Sequence, residues 1–278
     1  MNDEIDWLKV CKIIGEKASE EVMKIYKTSE SKKEIGLGAG GDMTIKADKA
    51  AEDVVIDELE KLDTCVHLIS EERGMIKCGR RDKPMFTVVV DPLDGSFNFK
   101  NAIDYFCISI AVLDEKDSQL IGYIRNFASG TEYYALKGEG AYKNGEKIAV
   151  AKSNGIKNIL LECSPKSSRA DIEFLAKAFL NSSHGRALGA VAMDFCLIAD
   201  GTFDALFYAG ASRYLDVAAG MFILEQAGGV VSDFNGNPII LKEHKLIAKN
   251  ILACASRGIQ EKLVSGRFER KEKERIIP

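Results

Sequence analysis

The run FTVVVDPLDG, residues 86–95, constrains this chain more than any other segment. A buried-type strand ends there, without a spacer, in two aspartates three positions apart. Pro92 fixes one dihedral and Gly95 permits close backbone approach. The main-chain carbonyl of Leu93 is left free, so a chain that turns here converges several oxygens. A second short strand, HLIS (67–70), leads directly into Glu71-Glu72. Acidic residues therefore end both predicted strands. Oxygen-only ligation favours magnesium or manganese over zinc. Taken alone, DPLDG reads first as a turn whose aspartates cap backbone amides, and only second as a metal site. The D-x-[DN]-x-[DN]-G spacing of an EF-hand is absent.

The 278 residues are 46% hydrophobic, enough core for one large domain or two modest ones. A formal charge of -4 and a pI near 5.6 give no basic footprint for nucleic acid or an anionic membrane. An anionic substrate then needs a cation's help. Cysteines 11, 65, 78, 107, 163, 196 and 254 form no CxxC pair and read as reduced core residues. The start, MNDEIDWLKV, is acidic where a signal peptide is basic, and no apolar run reaches the roughly 20 residues of a membrane span. A cytoplasmic protein is expected.

Apolar spacing from Ile5 to Tyr26 predicts a long amphipathic helix, and a second helix is expected from Asp48 to Leu62. Between them GLGAGGDMT (36–44) suits no regular element and reads as a disordered connector or a mobile loop near a ligand. YFCISIAVL, LIGYIRNF and TEYYALK predict an antiparallel meander, with Asn144-Gly145 as a hairpin turn. After about residue 155 the texture alternates: strand ILLEC, helices DIEFLAKAFL and AVAMDFCLIAD, strand TFDALFY, helix LDVAAGMFILEQA ended by Gly228-Gly229, strand VVSDF. The expected parts are residues 1–155, 156–265 and a charged tail, 266–278. Asp216 alone would read as a helix N-cap, and Asp194 as a hydrogen-bonding or helix-surface residue.

The segments together resemble the inositol monophosphatase superfamily. Its D-P-hydrophobic-D-G-[ST]-x-N run is matched by Asp91 to Asn98, its E-E pair by Glu71-Glu72, and its helix-opening aspartate by Asp48 in TIKADKAAED. Its D-x-A-A/G-G helix start is matched by Asp216 to Gly220, and its later EAGG by Glu225 to Gly229. The likeness spans about residues 5 to 260, in the family's order. TEYYALKGEGAY and RYLDVAAG look closest to archaeal-type enzymes acting on both inositol phosphate and fructose-1,6-bisphosphate. The tryptophan usual before the last aspartate is Leu215 here, which leaves the substrate open.

The resemblance implies a layered α/β/α/β/α sugar-phosphatase fold, with an antiparallel sheet in the first half and a mixed sheet in the second. The first part would carry most metal ligands, and the second the substrate pocket and Asp216. It implies a phosphomonoesterase dependent on two or three Mg2+, with Mn2+ as substitute, and some lithium sensitivity. Glu71, Asp91 and the Leu93 carbonyl would hold one ion; Asp91, Asp94 and Asp216 a second; Glu71 and waters a weaker third. Asp48 paired with Ser96 would take a proton from the attacking water, making Glu71, Asp48 and Ser96 the catalytic set, while the amides of Gly95 and Ser96 receive phosphate oxygens. Arg213, Arg186, Gly189 and Ala190 are expected on the substrate side, and Lys166 and Arg169 read as a surface turn or a second-phosphate contact. Phosphatases for adenosine bisphosphate, histidinol phosphate or NADP are the rival enzymes, and an idle metal-binding scaffold the rival of another class. A homodimer or tetramer is expected.

Overall fold

The computed structural model describes residues 5–39, 43–79, 85–152, 155–164, 167–239 and 248–266. The charged tail beyond residue 266 and Lys166 lie outside the described residues. Helix α1 (Trp7–Ile25) follows the predicted bounds closely, with Asp6 capping it through Lys9 N–H at 3.0 Å. The ends of the glycine-rich segment depart from expectation, because β1 (Glu34–Leu37) and β2 (Met43–Ile45) pair antiparallel, while residues 40–42 lie outside the described residues. Strand β2 leads into α2 (Lys46–Leu59), which starts two residues earlier than predicted and makes Asp48 its third residue.

An eight-stranded sheet holds β3 (Cys65–Ser70), β4 (Gly74–Gly79), β5 (Met85–Asp94), β6 (Cys107–Leu113), β7 (Gln119–Asn126), β8 (Glu132–Leu136), β9 (Gly140–Lys143) and β10 (Glu146–Ile148). Its order is β10-β9-β8-β7-β6-β5-β3-β4. The meander from β5 to β10 is antiparallel as its pattern predicts. Asn144 and Gly145, at φ 50° and 85°, form the two-residue turn between β9 and β10. One pair breaks the expected antiparallel rule: β3 runs parallel to β5, because β4 folds back along β3 before the chain returns in β3's direction.

A five-stranded mixed sheet follows: β11 (Asn158–Cys163), β12 (His184–Arg186), β13 (Ala205–Ser212), β14 (Val230–Ser232) and β15 (Ala248–Cys254), ordered β12-β11-β13-β15-β14. Of the helices, α3 (Ser96–Lys100) is a single turn after β5, and α4 (Arg169–Asn181) and α7 (Arg257–Val264) cover the outer face of the second sheet. Helices α5 (Val191–Ala199) and α6 (Tyr214–Gln226) lie between the sheets and touch both, while α1 and α2 cover the far face of the first. The layers are therefore α/β/α/β/α. Sequence explains the middle position, since in α6 every residue from Asp216 to Leu224 is buried, as a helix covered on both faces requires. Gly220 sets the α5–α6 spacing: a Cβ there would lie 2.8–3.0 Å from Phe195.

The sheet changes between Ile148 and Asn158, but the core does not divide there. One buried cluster runs from Ile69 and Val89 through α5 and α6 to Leu263. A second lies between the first sheet and α1/α2. Six cysteines are buried, and the seventh, Cys163, is exposed at the end of its strand, which corrects its reading as core. Among the described residues no helix is long and apolar enough to cross a membrane.

Candidate active site

Strand side chains alternate between faces, so Asp91 and Asp94, three positions apart, would normally point to opposite sides of the sheet. The register prevents this. Asp91 lies opposite Ser109 and Asp94 opposite Cys107, three steps against two, so β5 carries one extra residue within Asp91–Asp94. A β-bulge bends the strand end and re-aims its side chains, and it accommodates Pro92, which has no N–H for the ladder. Both aspartates then line one cavity of about 450 Å3. Gly95, at φ 89°, follows immediately; a Cβ there would meet the Tyr105 carbonyl at 3.0 Å and Ala190 at 3.1 Å.

Parallel pairing of β3 with β5 sets Ser70 beside Val90. The next residues, Glu71 and Asp91, therefore leave adjacent strand ends on the same edge, where parallel sheets bind ligands. Helix α2 supplies the next layer of contacts. Asp48 accepts Ile45 N–H at 2.7 Å and lies 3.4 Å from Ser96 Oγ, which also reaches the Leu93 carbonyl at 2.9 Å. One turn on, buried Glu52 accepts from Ser70 Oγ at 2.5 Å and Arg73 N–H at 3.0 Å, clamping both ends of the Glu71-Glu72 pair. Glu72 accepts the Thr44 hydroxyl, which ties the β1–β2 pair to the rim.

The middle helices bring the other wall. Asp94 Oδ2 accepts Ala192 N–H at 2.7 Å in the first turn of α5. Asp216 is the third residue of α6, not its N-cap; that position is Arg213, whose N–H donates to Asp216 Oδ2 at 3.1 Å. The Arg213 guanidinium bridges Asp216, at 3.0 Å, and Glu71. The arginine read as a substrate contact is thus engaged by two carboxylates of the acid cluster.

Burial drives the electrostatics. It pushes the Asp91 carboxyl far above the usual range, helped by the charges of Glu71, Asp94 and Asp216 and opposed by Arg213. Asp94 is pushed up to about 8 by burial, against the Ala192 hydrogen bond that lowers it. Asp48 rises to about 7, chiefly by burial. Glu71 also rises, burial outweighing its Arg213 pairing. Among the described residues, no three side chains are already drawn into a closed metal cage. The donor set nevertheless fits a hard divalent cation: crowded carboxylates that raise one another's pKa until a positive charge relieves them, beside the Leu93 carbonyl, whose second lone pair is available, all of them oxygen donors.

The remaining expected residues divide. Gly189 lines the cavity, and Ala190 is buried behind it as the α5 N-cap. Arg186 is exposed on β12, its Nη1 on the Gly185 carbonyl, and is not among the cavity-lining residues. Arg169 is exposed and pairs with Glu173. Asp194 is fully buried and accepts the Tyr105 hydroxyl at 2.7 Å, which fits the hydrogen-bonding role expected of it and excludes the helix-surface one. Sequence reasoning missed Lys100, Glu162 and Tyr208, all cavity-lining, and Glu52 behind it. Only the four-residue steps Asp48–Glu52 and Ser96–Lys100, each one helical face, were signals available to find them.

Layered architecture, acidic strand ends and a helix-start aspartate at one cavity define a phosphoric monoester hydrolase of the metal-dependent class. The chain belongs to the inositol monophosphatase family, which it matches over residues 6–271. It is 31% identical over 259 residues to a fructose-1,6-bisphosphatase/inositol-1-monophosphatase of Thermococcus kodakarensis, covering 91% of this chain and 94% of that one. It is 30% identical to a bifunctional NADP phosphatase/NAD kinase of Methanococcus maripaludis, covering 94% of this chain but about half, 49%, of that protein. Among solved structures, an inositol monophosphatase-fructose 1,6 bisphosphatase superposes with a TM-score of 0.79 at 29% identity, covering 94% of this chain and 99% of that one.

Proposed function

We propose that this chain is a Mg2+-dependent phosphomonoesterase for small sugar or polyol phosphates, with fructose-1,6-bisphosphate and inositol monophosphate as its leading substrates. One observation carries the reading: Glu71, Asp91, Asp94 and Asp216, from three separate parts of the chain, face a single cavity. These carboxylates and the Leu93 carbonyl would hold two or three cations, with Mn2+ as substitute. Bound there, the cations supply charge neutralisation and a more acidic water.

The chain's own groups do the rest. Ser96 Oγ bridges the Leu93 carbonyl and Asp48, whose carboxyl, pushed up to about 7, is suited to take a proton near neutral pH. The amides of Gly95 and Ser96 receive phosphoryl oxygens. Asp94, held at the end of β5 by the Ala192 N–H of α5, completes the sheet-side wall, and Asp216, fixed by α6, stands on the far one. Lithium inhibition, a cytoplasmic location and a homodimer or tetramer belong to the same reading.

The test is phosphate release from a panel of esters, with and without Mg2+. Release is expected only with Mg2+ (or Mn2+) and fastest on sugar or polyol phosphates; release without added metal after chelation sinks the proposal. The NADP phosphatase half of a relative 30% identical to this chain favours NADP as the second reading, which the same panel separates.

A further inference from the structure

Of the buried acids among the described residues that take no part in the mechanism, Asp194 is the one with an unpartnered carboxylate oxygen. Asp194, in the middle of α5, is wholly inaccessible. Its Oδ1 accepts the Tyr105 hydroxyl at 2.7 Å, while its Oδ2 has no hydrogen-bond partner among the described residues. Glu162, also a carboxylate, is a side-chain neighbour within pairing reach of Asp194. Glu162 lines the cavity, and its Oε1 accepts Gly189 N–H at 2.8 Å. A wholly inaccessible carboxylate beside a second carboxylate is costly without a proton between them.

A protonated Asp194 completes the set. Its hydroxyl would then donate to Glu162, leaving no carboxylate oxygen of Asp194 unpartnered. The bonds then close a ring: Glu162 holds Gly189, and the adjacent Leu188 carbonyl accepts Asn98 Nδ2 at 2.7 Å. The same Nδ2 donates to the Tyr105 carbonyl at 2.8 Å, and Tyr105 returns to Asp194. This ring locks the cavity's second wall to the helical turn after the Asp91–Asp94 bulge.

We propose that Asp194 is a positioning residue: it donates a hydrogen bond to Glu162 and so aims the Glu162 carboxylate into the cavity, where it accepts a hydroxyl of a polyhydroxylated phosphate ester. Burial, with the charge of Glu162 next, pushes the Asp194 carboxyl far above the usual range, in keeping with this role. Asp94 also faces it and adds in the same direction. The inference rests on the phosphatase reading and adds to it the group that recognises the polyol.

The experiment compares wild type, Asp194→Asn, Asp194→Leu, Tyr105→Phe and Glu162→Ala on two substrates, inositol 1-phosphate and p-nitrophenyl phosphate, the second lacking hydroxyls. Asparagine keeps both bonds, so Asp194→Asn is expected to stay within about twofold on both esters. Asp194→Leu and Glu162→Ala are expected to raise KM for inositol 1-phosphate by about tenfold with kcat little changed, the loss of a charge-assisted hydrogen bond. Asp194→Leu should leave p-nitrophenyl phosphate within about twofold. Tyr105→Phe, which removes one oxygen, covers the case that leucine does not fold, and a KM rise on inositol 1-phosphate alone is expected from it too. Equal losses on both esters, or Asp194→Asn behaving like Asp194→Leu, overturn the proposal. If wild type with Mg2+ hydrolyses neither ester and also releases no phosphate from fructose-1,6-bisphosphate or NADP, the phosphatase reading fails, and infrared difference spectra at pH 8 decide Asp194 separately. A protonated-carboxyl band removed by Asp194→Asn supports the bond to Glu162; its absence overturns it.

Discussion

The two walls of the cavity are built by different rules. On the first, β3 and β5 end side by side, and strand register with a one-residue bulge decides where Glu71, Asp91 and Asp94 point. On the second, helix starts and a connecting loop place Asp216, Arg213 and Gly189, and their positions depend on how α5 and α6 cross between the sheets. A register cannot drift by a fraction of a residue, whereas a helix crossing and a loop can shift. The difference sets three of the four proposed cation-holding carboxylates on the sheet and leaves Asp216, with the loop residues proposed to meet substrate, to the helices and loop.

The sharpest way to break that division is at Asp94, which belongs to the sheet but is held by α5. Asp94→Asn keeps the shape and the acceptor for Ala192 N–H, so melting temperature should hold within a few degrees. Turnover should fall by on the order of a thousandfold, because several kcal/mol of charge stabilisation depend on the carboxylate. Mg2+-dependent turnover near wild type would show that the bulge is structural only. Ser96→Ala comes next, with kcat down by about a hundredfold if the hydroxyl between Asp48 and Leu93 relays a proton. Ser96→Thr, which keeps the oxygen, should recover most of it, and equal loss in both variants would reject the relay.

The first wall was legible in sequence and the second much less so. DPLDG and the Glu71-Glu72 pair sit in short contiguous runs whose strand ends are visible as apolar stretches, so acids at strand ends could be read directly. The parallel pairing that makes them neighbours was not visible, since β4 lacks a strong pattern and the return into β5 sets the direction. Arg213 shows the limit on the other side. Its distance from Asp216 along the chain is three residues, but its bond to Glu71 spans 142. No local pattern announces such a pair. The β1–β2 pairing was missed for a related reason: glycine-rich sequence has little preference of its own, and Glu72 bonding to Thr44 and to Ala39 N–H supplies the order.

Stability against pH probes the acids of both walls at once. Asp48 and Asp94 hold their protons to about 7 and about 8, against an ordinary value of 3.8, so between pH 4 and 8 the native state binds more protons than the unfolded chain. Stability of the chelated protein must then fall as pH rises through that window and level off above it. Acids lowered by lysine partners, such as Glu30 and Glu58, act with the opposite sign but only below about pH 4.5. Thermal melts with chelator should slope downward from pH 5 to 8, and Mg2+ should flatten the slope; an upward slope rejects the raised values. Gly220→Ala tests the crossing itself. Its methyl would press on Phe195, costing about 1 to 3 kcal/mol and lowering the melting temperature by a few degrees. If the second wall depends on that crossing, KM should rise as well while the Mg2+ dependence of kcat stays put.

The smallest effect is expected where sequence and geometry disagree most plainly. Arg186 follows the polyol-loop pattern by position, yet it is exposed on the edge strand β12 and spends its guanidinium on the neighbouring Gly185 carbonyl. An exposed side chain with one local bond is worth about half a kcal/mol or less, so Arg186→Ala should change KM and kcat by less than about twofold. The contrast is Arg213→Gln, which removes a cation bridging Glu71 and Asp216 and should shift Mg2+ affinity measured by calorimetry, because guanidinium and metal compete for the same oxygens. A tenfold KM loss in Arg186→Ala would mean that the β12 edge moves over the cavity when substrate binds, and the second wall would then extend further than α5 and α6 define it.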